Sequence, residues 1–359
     1  MRSDPKRWRR QNRLIAEAAV RLGLKVRELC DVHTEPFMVL EHDNLQILIS
    51  NTRSPWLTQL AQLLTNHKYA SRHLLRARGL PAIDQLLLEN ANTTQARNIA
   101  ATALARYGRI VVKPNGGNRG SGIVAGIERA ADLPAALSYA SAHCPRGEVV
   151  IEPEWEGAHV RVSVVGGRFA AACRIEHIVL HGDGQRTVQA LIEQRNFELQ
   201  RADRSRCLVS NAAPYDGAGN CHGHDGIELS EQLKAFLVAH GLTLDSIPAV
   251  GTRVPLFHES EQEIVDVTDA LAKPTQRIAE LACAELGVDI GGVDFLLPQL
   301  ELPIGPSNHG CLLEVNVLPA LYLHTHPTRG QPRPVIETYV RYLVDRARRE
   351  RDKSLGGVA

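Results

Sequence analysis

Apolar residues recur along this chain with two periods, and those periods sort it into helices and strands. In residues 12–24, NRLIAEAAVRLGL, Leu14, Ile15, Ala18, Ala19 and Leu22 fall at helical spacing, and Gly23 is the stop. KVREL and LQILISN read as strands, so the chain opens as a small α/β unit. SPWLTQLAQLL and HKYASRHLLRARGL have helical spacing, and the second ends at Gly79 with Pro81 beyond it. TTQARNIAATALARYG predicts a helix, RIVVKP a strand, DLPAALSYASAH a helix and GEVVIEP a strand. In HVRVSVVGGRFAAACRIEHIVL, Val160, Val162 and Val164 alternate with Arg161, Ser163 and Val165, which predicts a β-hairpin turning at Gly166-Gly167.

Beyond the hairpin, HGDGQRTVQALIEQRN reads as a tight turn into a helix. Residues 203–227 are rich in Gly, Asn, Asp and His without periodicity and predict a long loop. SEQLKAFLVAHGL predicts a helix from an N-cap at Ser230 to a stop at Gly241, and TQRIAELACAELGV a second amphipathic helix. GGVDFLLP and GCLLEVNVLP predict two core strands carrying acidic or amide groups among apolar residues. PVIETYVRYLVDRARRERDK predicts a terminal helix whose basic last turn suits the helix dipole.

Composition narrows the class. The 359 residues suffice for two or three domains with a substantial core. With 44% hydrophobic and 23% charged residues the chain reads as an ordinary globular protein. A net charge of +1 argues against a nucleic-acid partner, and the basic start MRSDPKRWRRQNR reads as a solvated terminus. No apolar run approaches the roughly 18 residues of a membrane span. No apolar stretch follows the basic start, so neither a membrane partner nor a signal peptide is expected. Seven cysteines, Cys30, Cys144, Cys173, Cys207, Cys221, Cys283 and Cys311, are odd in number and scattered, the pattern of reduced thiols in a cytoplasmic protein.

Three features could carry chemistry. KPNGGNRGSGI, residues 113–123, has four glycines in eleven residues directly after an apolar strand. It lacks the Gly-Lys-Ser/Thr ending of a Walker A loop and does not fit Gly-x-Gly-x-x-Gly. Glycines let backbone N–H groups approach phosphate oxygens, and Lys113 could aim its ammonium at the same phosphates. The same composition also suits a flexible hairpin tip.

The second feature is Asp294 in GGVDFLL with Glu314 and Asn316 in LLEVNVLP. Glu314 and Asn316 are two apart, so on a strand they share a face. Carboxylate and amide oxygens suit Mg²⁺, and a strand-end salt bridge is the competing reading. Third, His324 and His326, and separately Cys221, His222 and His224, have no further ligand at zinc-site spacing and read as polar loop residues.

Taken in order, the lysine strand and glycine loop, VVIEPEWEGAHVRVSVVGG, GVDFLL and LLEVNVLPALYLHTHP resemble an ATP-grasp ligase. The similarity is to the ATP-grasp domain of cyanophycin synthetase and the C-terminal glutathione-synthetase domain of bifunctional glutathione enzymes. GDGQRTVQALIEQRN, HGLTLDSIP and IVDVTD resemble segments shared by those two groups. The resemblance runs from about residue 45 to 345.

It implies an α+β protein with an α/β N-terminal part and the nucleotide held between a small lid domain and a C-terminal α+β domain. The implied boundaries are 1–65 for the N-terminal domain, 66–155 for the lid region and 156–359 for the C-terminal catalytic domain, with a loop-rich insertion near 203–227. By position, Lys68 and Lys113 match lysines that hold nucleotide phosphates. Asn118, Gly120, Ser121 and Gly122 match the lid loop, and Glu152 the hinge strand at adenine. Asp294, Glu314 and Asn316 match magnesium ligands, with Mn²⁺ as an alternative metal. Arg161 and Arg174 match arginines near the phosphates or the substrate carboxylate.

The implied reaction is ATP-dependent joining of a small-molecule carboxylate and an amine, through an acylphosphate, on an amino acid or small peptide. The chain carries neither a glutamate–cysteine ligase domain nor a Mur-like domain, so a stand-alone ligase receiving a ready-made carboxylate is the expectation. Dimers are common in the family, and no motif here specifies a homodimer.

Three positions depart from the pattern. His159 stands where relatives have Glu or Asp facing the ribose hydroxyls. RVPLFHESEQEIVDVTD lacks the Asn-x-Ser-x-Gly-Gly stretch that shapes the substrate end, where Arg253 is the candidate to supply a charge. Ala320 follows Pro319 where many members have Gly, as it does in the glutathione-type domains. An ATP-binding regulatory module and a ligase acting on a ribosomal peptide therefore stay open beside the small-molecule ligase.

Overall fold

The computed structural model describes residues 10–29, 37–116, 122–177, 179–201, 227, 229, 231–256 and 262–356. The elements begin with α1 (Arg10–Arg21), β1 (Lys25–Glu28), β2 (Phe37–His42) and β3 (Leu45–Ser50). Next are α2 (Gln59–Asn66), α3 (Lys68–Ala77), β4 (Leu86–Leu88), α4 (Thr94–Tyr107), β5 (Ile110–Pro114), β6 (Val124–Ile127) and α5 (Leu133–Ala142). Then come β7 (Val149–Pro153), β8 (Ala158–Val165), β9 (Arg168–His177), β10 (Val179–His181), α6 (Val188–Arg201) and α7 (Glu231–Ala239). Last are β11 (Arg253–Pro255), β12 (Gln262–Asp266), α8 (Lys273–Glu285), β13 (Ile290–Leu297), β14 (Cys311–Asn316), α9 (Tyr322–Thr325) and α10 (Val335–Gly356).

The chain forms two compact units. The first comprises Met1–Pro55, Ala170–Asp269 and Ala320–Ala359. Its antiparallel sheet β1-β2-β3 packs with α1 and α10 around Ile15, Ala19, Met38, Leu40, Ile49 and Tyr339, all buried. FMVLEH, not foreseen as a strand, is the middle of this sheet. Met38, Val39 and Leu40 are all buried, so the apolar-polar alternation that marks a half-buried strand is missing. In the same unit β9 and β12 pair antiparallel. The run read as one long hairpin strand is divided: β9 ends at His177, and β10 pairs instead with β11 over a satellite core of Leu180, Val188, Ile192, Leu237 and Val254.

The second unit comprises Trp56–Phe169 and Ala270–Pro319. A four-stranded sheet, β4-β7-β5-β6, carries α4 and α5 on a core that includes Leu104, Ile110, Val112, Leu137, Val149 and Ile151. A separate antiparallel set places β13 between β8 and β14, with α8 against β13 and β8 and α3 against β14. α3 stops where the sequence predicts, at a Gly79 with φ of 76°. α8 starts two residues earlier than TQRIAELACAELGV suggests, because Pro274 fits the first helical turn, where its missing N–H costs nothing. The predicted N-cap Ser230 and the long loop, apart from buried Ile227, lie outside the described residues. Among the described residues no helix is long and apolar enough to cross a membrane. Cys144, Cys173, Cys283 and Cys311 are buried and unpaired as disulfides.

Candidate functional site

One face of the β8-β13-β14 set collects the predicted ligands. Its register aligns Arg161, Asp294 and Glu314 in a single cross-strand row, with Gly292 opposite Asn316 in the row beside it. Side chains two apart share a face, so His159 and Arg161 on β8 and Glu314 and Asn316 on β14 all flank Asp294. Arg161 Nε and Nη2 donate to the two Asp294 oxygens at 2.7 and 2.5 Å, and His159 Nε2 lies 3.4 Å from Asp294 Oδ1. Asn316 Nδ2 donates to Asp294 Oδ2 at 3.1 Å and Glu314 Oε1 at 3.3 Å, drawing the two carboxylates together. Gly292 keeps this face clear: a Cβ there would stand 3.1 Å from Pro319 Cβ.

Burial would raise the Asp294 pKa. The Arg161 charge and the hydrogen bonds from His159 and Arg161 more than offset it, holding the carboxyl well below its ordinary range. Asp294 is therefore an anion although almost wholly buried. Asp294, Glu314 and Asn316 together offer oxygen donors only, the set that a hard divalent cation such as Mg²⁺ takes. The described residues contain no group of three or more His, Cys, Asp or Glu placed to hold a metal, and this trio reaches three donors only through Asn316. His324 is buried in α9 and His326 follows it; the Cys221, His222 and His224 cluster lies outside the described residues.

A second cluster adjoins this face. Helical spacing backward from buried Leu75 puts Arg72 and Lys68 on one side of α3. Lys68 Nζ lies 4.0 Å from Glu314 Oε2. Arg72 is fully buried: Nε donates to Leu313 O at 2.5 Å, and Nη1 donates to Gln85 Oε1 at 3.3 Å and Glu152 Oε2 at 2.8 Å. Lys113 on β5 forms an ion pair with the other Glu152 oxygen.

One carboxylate is thus shared by two cations, all three side chains at most 8% exposed. The Arg72 Nη2 is a buried donor with no hydrogen-bond acceptor among the described residues. Burial, the largest influence, pushes the Lys113 pKa down, and Arg72 adds to it, while Glu152 partly offsets both. Burial would raise the Glu152 pKa, but the charges of Lys113 and Arg72 hold it below its ordinary value. Sequence reading found Lys113 and Glu152 but missed Arg72 and Gln85; the available signal was an arginine four residues from Lys68 on the face that ends in Leu75.

The glycine loop leaves the end of β5 and returns at Gly122 to β6, antiparallel to β5. Gly122 has φ of 78°, and a Cβ there would meet Pro114 Cγ and His143 Cβ at 2.6 Å, so no other residue fits. Asn118, Gly120 and Ser121 lie outside the described residues.

Two predicted arginines belong to the first unit. Arg174, on β9, pairs with Glu176 at 2.5 Å. Arg253 is exposed on β11, opposite His181 of β10. Neither Cys283 nor Cys311 offers a nucleophile: burial raises both thiols, Cys311 to about 12.

No protein-family model matches the chain. Cyanophycin synthetase of Geminocystis herdmanii (strain PCC 6308) is 28% identical over 239 residues, 66% of this chain and 26% of that protein. The glutathione biosynthesis bifunctional protein of Pasteurella multocida (strain Pm70) is 24% identical over 328 residues, 87% of this chain and 40% of that protein. The crystal structure of a bifunctional glutathione synthetase from Pasteurella multocida matches with a TM-score of 0.63 at 21% identity, covering 94% of this chain and 44% of that one. The shared α+β fold and these sequence similarities support the chain as an ATP-grasp superfamily member. It spans less than half the length of each of these relatives.

Proposed function

We propose that this chain is an ATP-dependent, ADP-forming ligase that joins a small-molecule carboxylate to an amine. The single observation that carries the reading is the buried cluster in which Arg72 and Lys113 share Glu152. A buried cation without its full counter-charge costs several kcal/mol. An anion arriving at Lys113 removes that cost, and the phosphates of ATP are such anions.

Lys113 and Lys68 hold the phosphates, and Gly122 closes the lid loop, with Asn118, Gly120 and Ser121, over them. We assign 66–155 as the lid region between an N-terminal domain, 1–65, and a catalytic domain, 156–359. Glu152 fixes Lys113 and marks the adenine end. His159 serves the ribose hydroxyls, a role that requires its ring to leave Asp294.

Asp294, Glu314 and Asn316 would hold Mg²⁺, which offsets phosphate charge when bound. Arg161 steadies the transferring phosphoryl group, and Arg174 and Arg253 serve the substrate carboxylate. The carboxylate takes the γ-phosphoryl group as an acylphosphate. The amine then attacks, phosphate leaves and an amide remains. A closed lid keeps water from the acylphosphate.

The test is ADP release with MgATP over panels of carboxylates and amines, with Glu314→Ala as the control. The expected result is ADP release that needs one acid–amine pair and falls at least about 100-fold in Glu314→Ala. ADP release from no pair marks a nucleotide-binding module instead, and equal release from Glu314→Ala removes the metal assignment.

A further inference from the structure

The residue at the root of the glycine loop is bonded on every side. Asn115 follows β5 and is 1% exposed. Its backbone O accepts from Lys68 N at 3.1 Å, and its Oδ1 accepts from Tyr69 N at 2.9 Å. Its backbone N donates to Glu148 O at 3.0 Å, and its Nδ2 donates to Glu148 Oε2 at 2.7 Å. The same Nδ2 lies 3.1–3.2 Å from the His67 ring nitrogens.

These contacts account for the start of α3. Its first N–H groups have no partner within the helix. Here Lys68 N and Tyr69 N go to Asn115, Ala70 N goes to His67 Nδ1 at 3.1 Å, and Ser71 N to His67 O at 3.0 Å. The helix N-terminus is therefore closed to a phosphate, and Lys68 can reach one only through its side chain. Asn115 ties the backbone that carries Lys68 to the strand that carries Lys113, two residues before it.

We infer that Asn115 is a positioning residue that holds Lys68 and Lys113 in register for one polyphosphate. The inference rests on the nucleotide reading above. It explains why a fully bonded asparagine stands where a glycine-rich loop begins: the root of the loop is fixed to α3.

The test measures binding of a fluorescent ATP analogue with Mg²⁺, without turnover. Asn115→Ala should weaken binding about tenfold to a hundredfold, the loss typical when the support behind a binding group is removed. Asn115→Asp places a carboxylate against Glu148, with His67, Lys68 and Lys113 as the other charged or titratable groups nearby. Its affinity should be weak at pH 8 and recover as the pH falls and the new carboxylate pair takes up a proton. The double variant Asn115→Asp with Glu148→Gln exchanges donor and acceptor and should restore wild-type affinity at pH 8. Wild-type affinity in Asn115→Ala, or no recovery in the exchanged pair when circular dichroism shows it folded, overturns the inference. Failure of the wild-type protein to bind the analogue at all would instead overturn the nucleotide reading.

Discussion

The two units each contain a dense set of arginines and carboxylates, and the sets are built differently. In the first unit Arg174, Arg195, Arg329 and Arg333 meet Glu176, Glu263, Asp266 and Asp269, cation for anion. Arg333 donates to Asp266 at 2.7 Å and Asp269 at 2.6 Å, and Thr268 Oγ1 donates to Asp266 Oδ1 at 2.6 Å. In the second unit Arg72 and Lys113 share one carboxylate, and an Arg72 N–H lacks an acceptor among the described residues. The first set is compensated and partly exposed; the second is buried and short of one negative charge. Charge density alone does not mark a site. Incomplete compensation does, because a ligand can complete it.

Breaking the buried set should have the largest effect on folding. Glu152→Ala leaves two buried cations unpaired, and urea denaturation should show a loss of about 3–5 kcal/mol. The compensated set is softer. Asp266→Asn keeps the shape and some hydrogen bonds, and the same measurement should show about 1–2 kcal/mol, with binding of the ATP analogue unchanged. A loss at Asp266 as large as at Glu152 would erase the contrast between the sets.

A smaller effect appears in the pH dependence. Glu152, Asp294 and Asp266 all titrate below their ordinary values of 4.5, 3.8 and 3.8. A carboxyl whose folded-state pKa is depressed stabilises fully above its ordinary value and loses that contribution as pH falls through the folded value. Stability should therefore fall with acid below about pH 4.5. The fall should be shallower in Glu152→Gln, and a profile identical to wild type would show that Glu152 does not contribute.

Much of this was legible in the sequence. The paired Glu314 and Asn316, and Asp294 within GGVDFLL, announce polar groups in apolar strands, and the structure brings the three onto one face. The missed pieces have physical reasons. Arg72 and Asn115 are polar residues buried by partners far away in sequence, and periodicity scores only apolar faces. Leu86–Leu88 is too short to show alternation, and it becomes a strand only because β7 pairs with it. The division of the long strand after His177 depends on pairing with β11, more than 70 residues away.

The incompletely compensated charge that Lys113 and Arg72 leave around Glu152 is, on the proposed function, kept for a nucleotide. Replacing Lys113 with Met tests it most directly, with affinity for the ATP analogue and thermal stability measured on the same sample. Arg72 and Glu152 remain as a one-to-one pair, so the account predicts unchanged or higher Tm with affinity at least about tenfold weaker. Wild-type affinity in Lys113→Met, or a large drop in Tm, would show that the lysine serves the fold and not a phosphate.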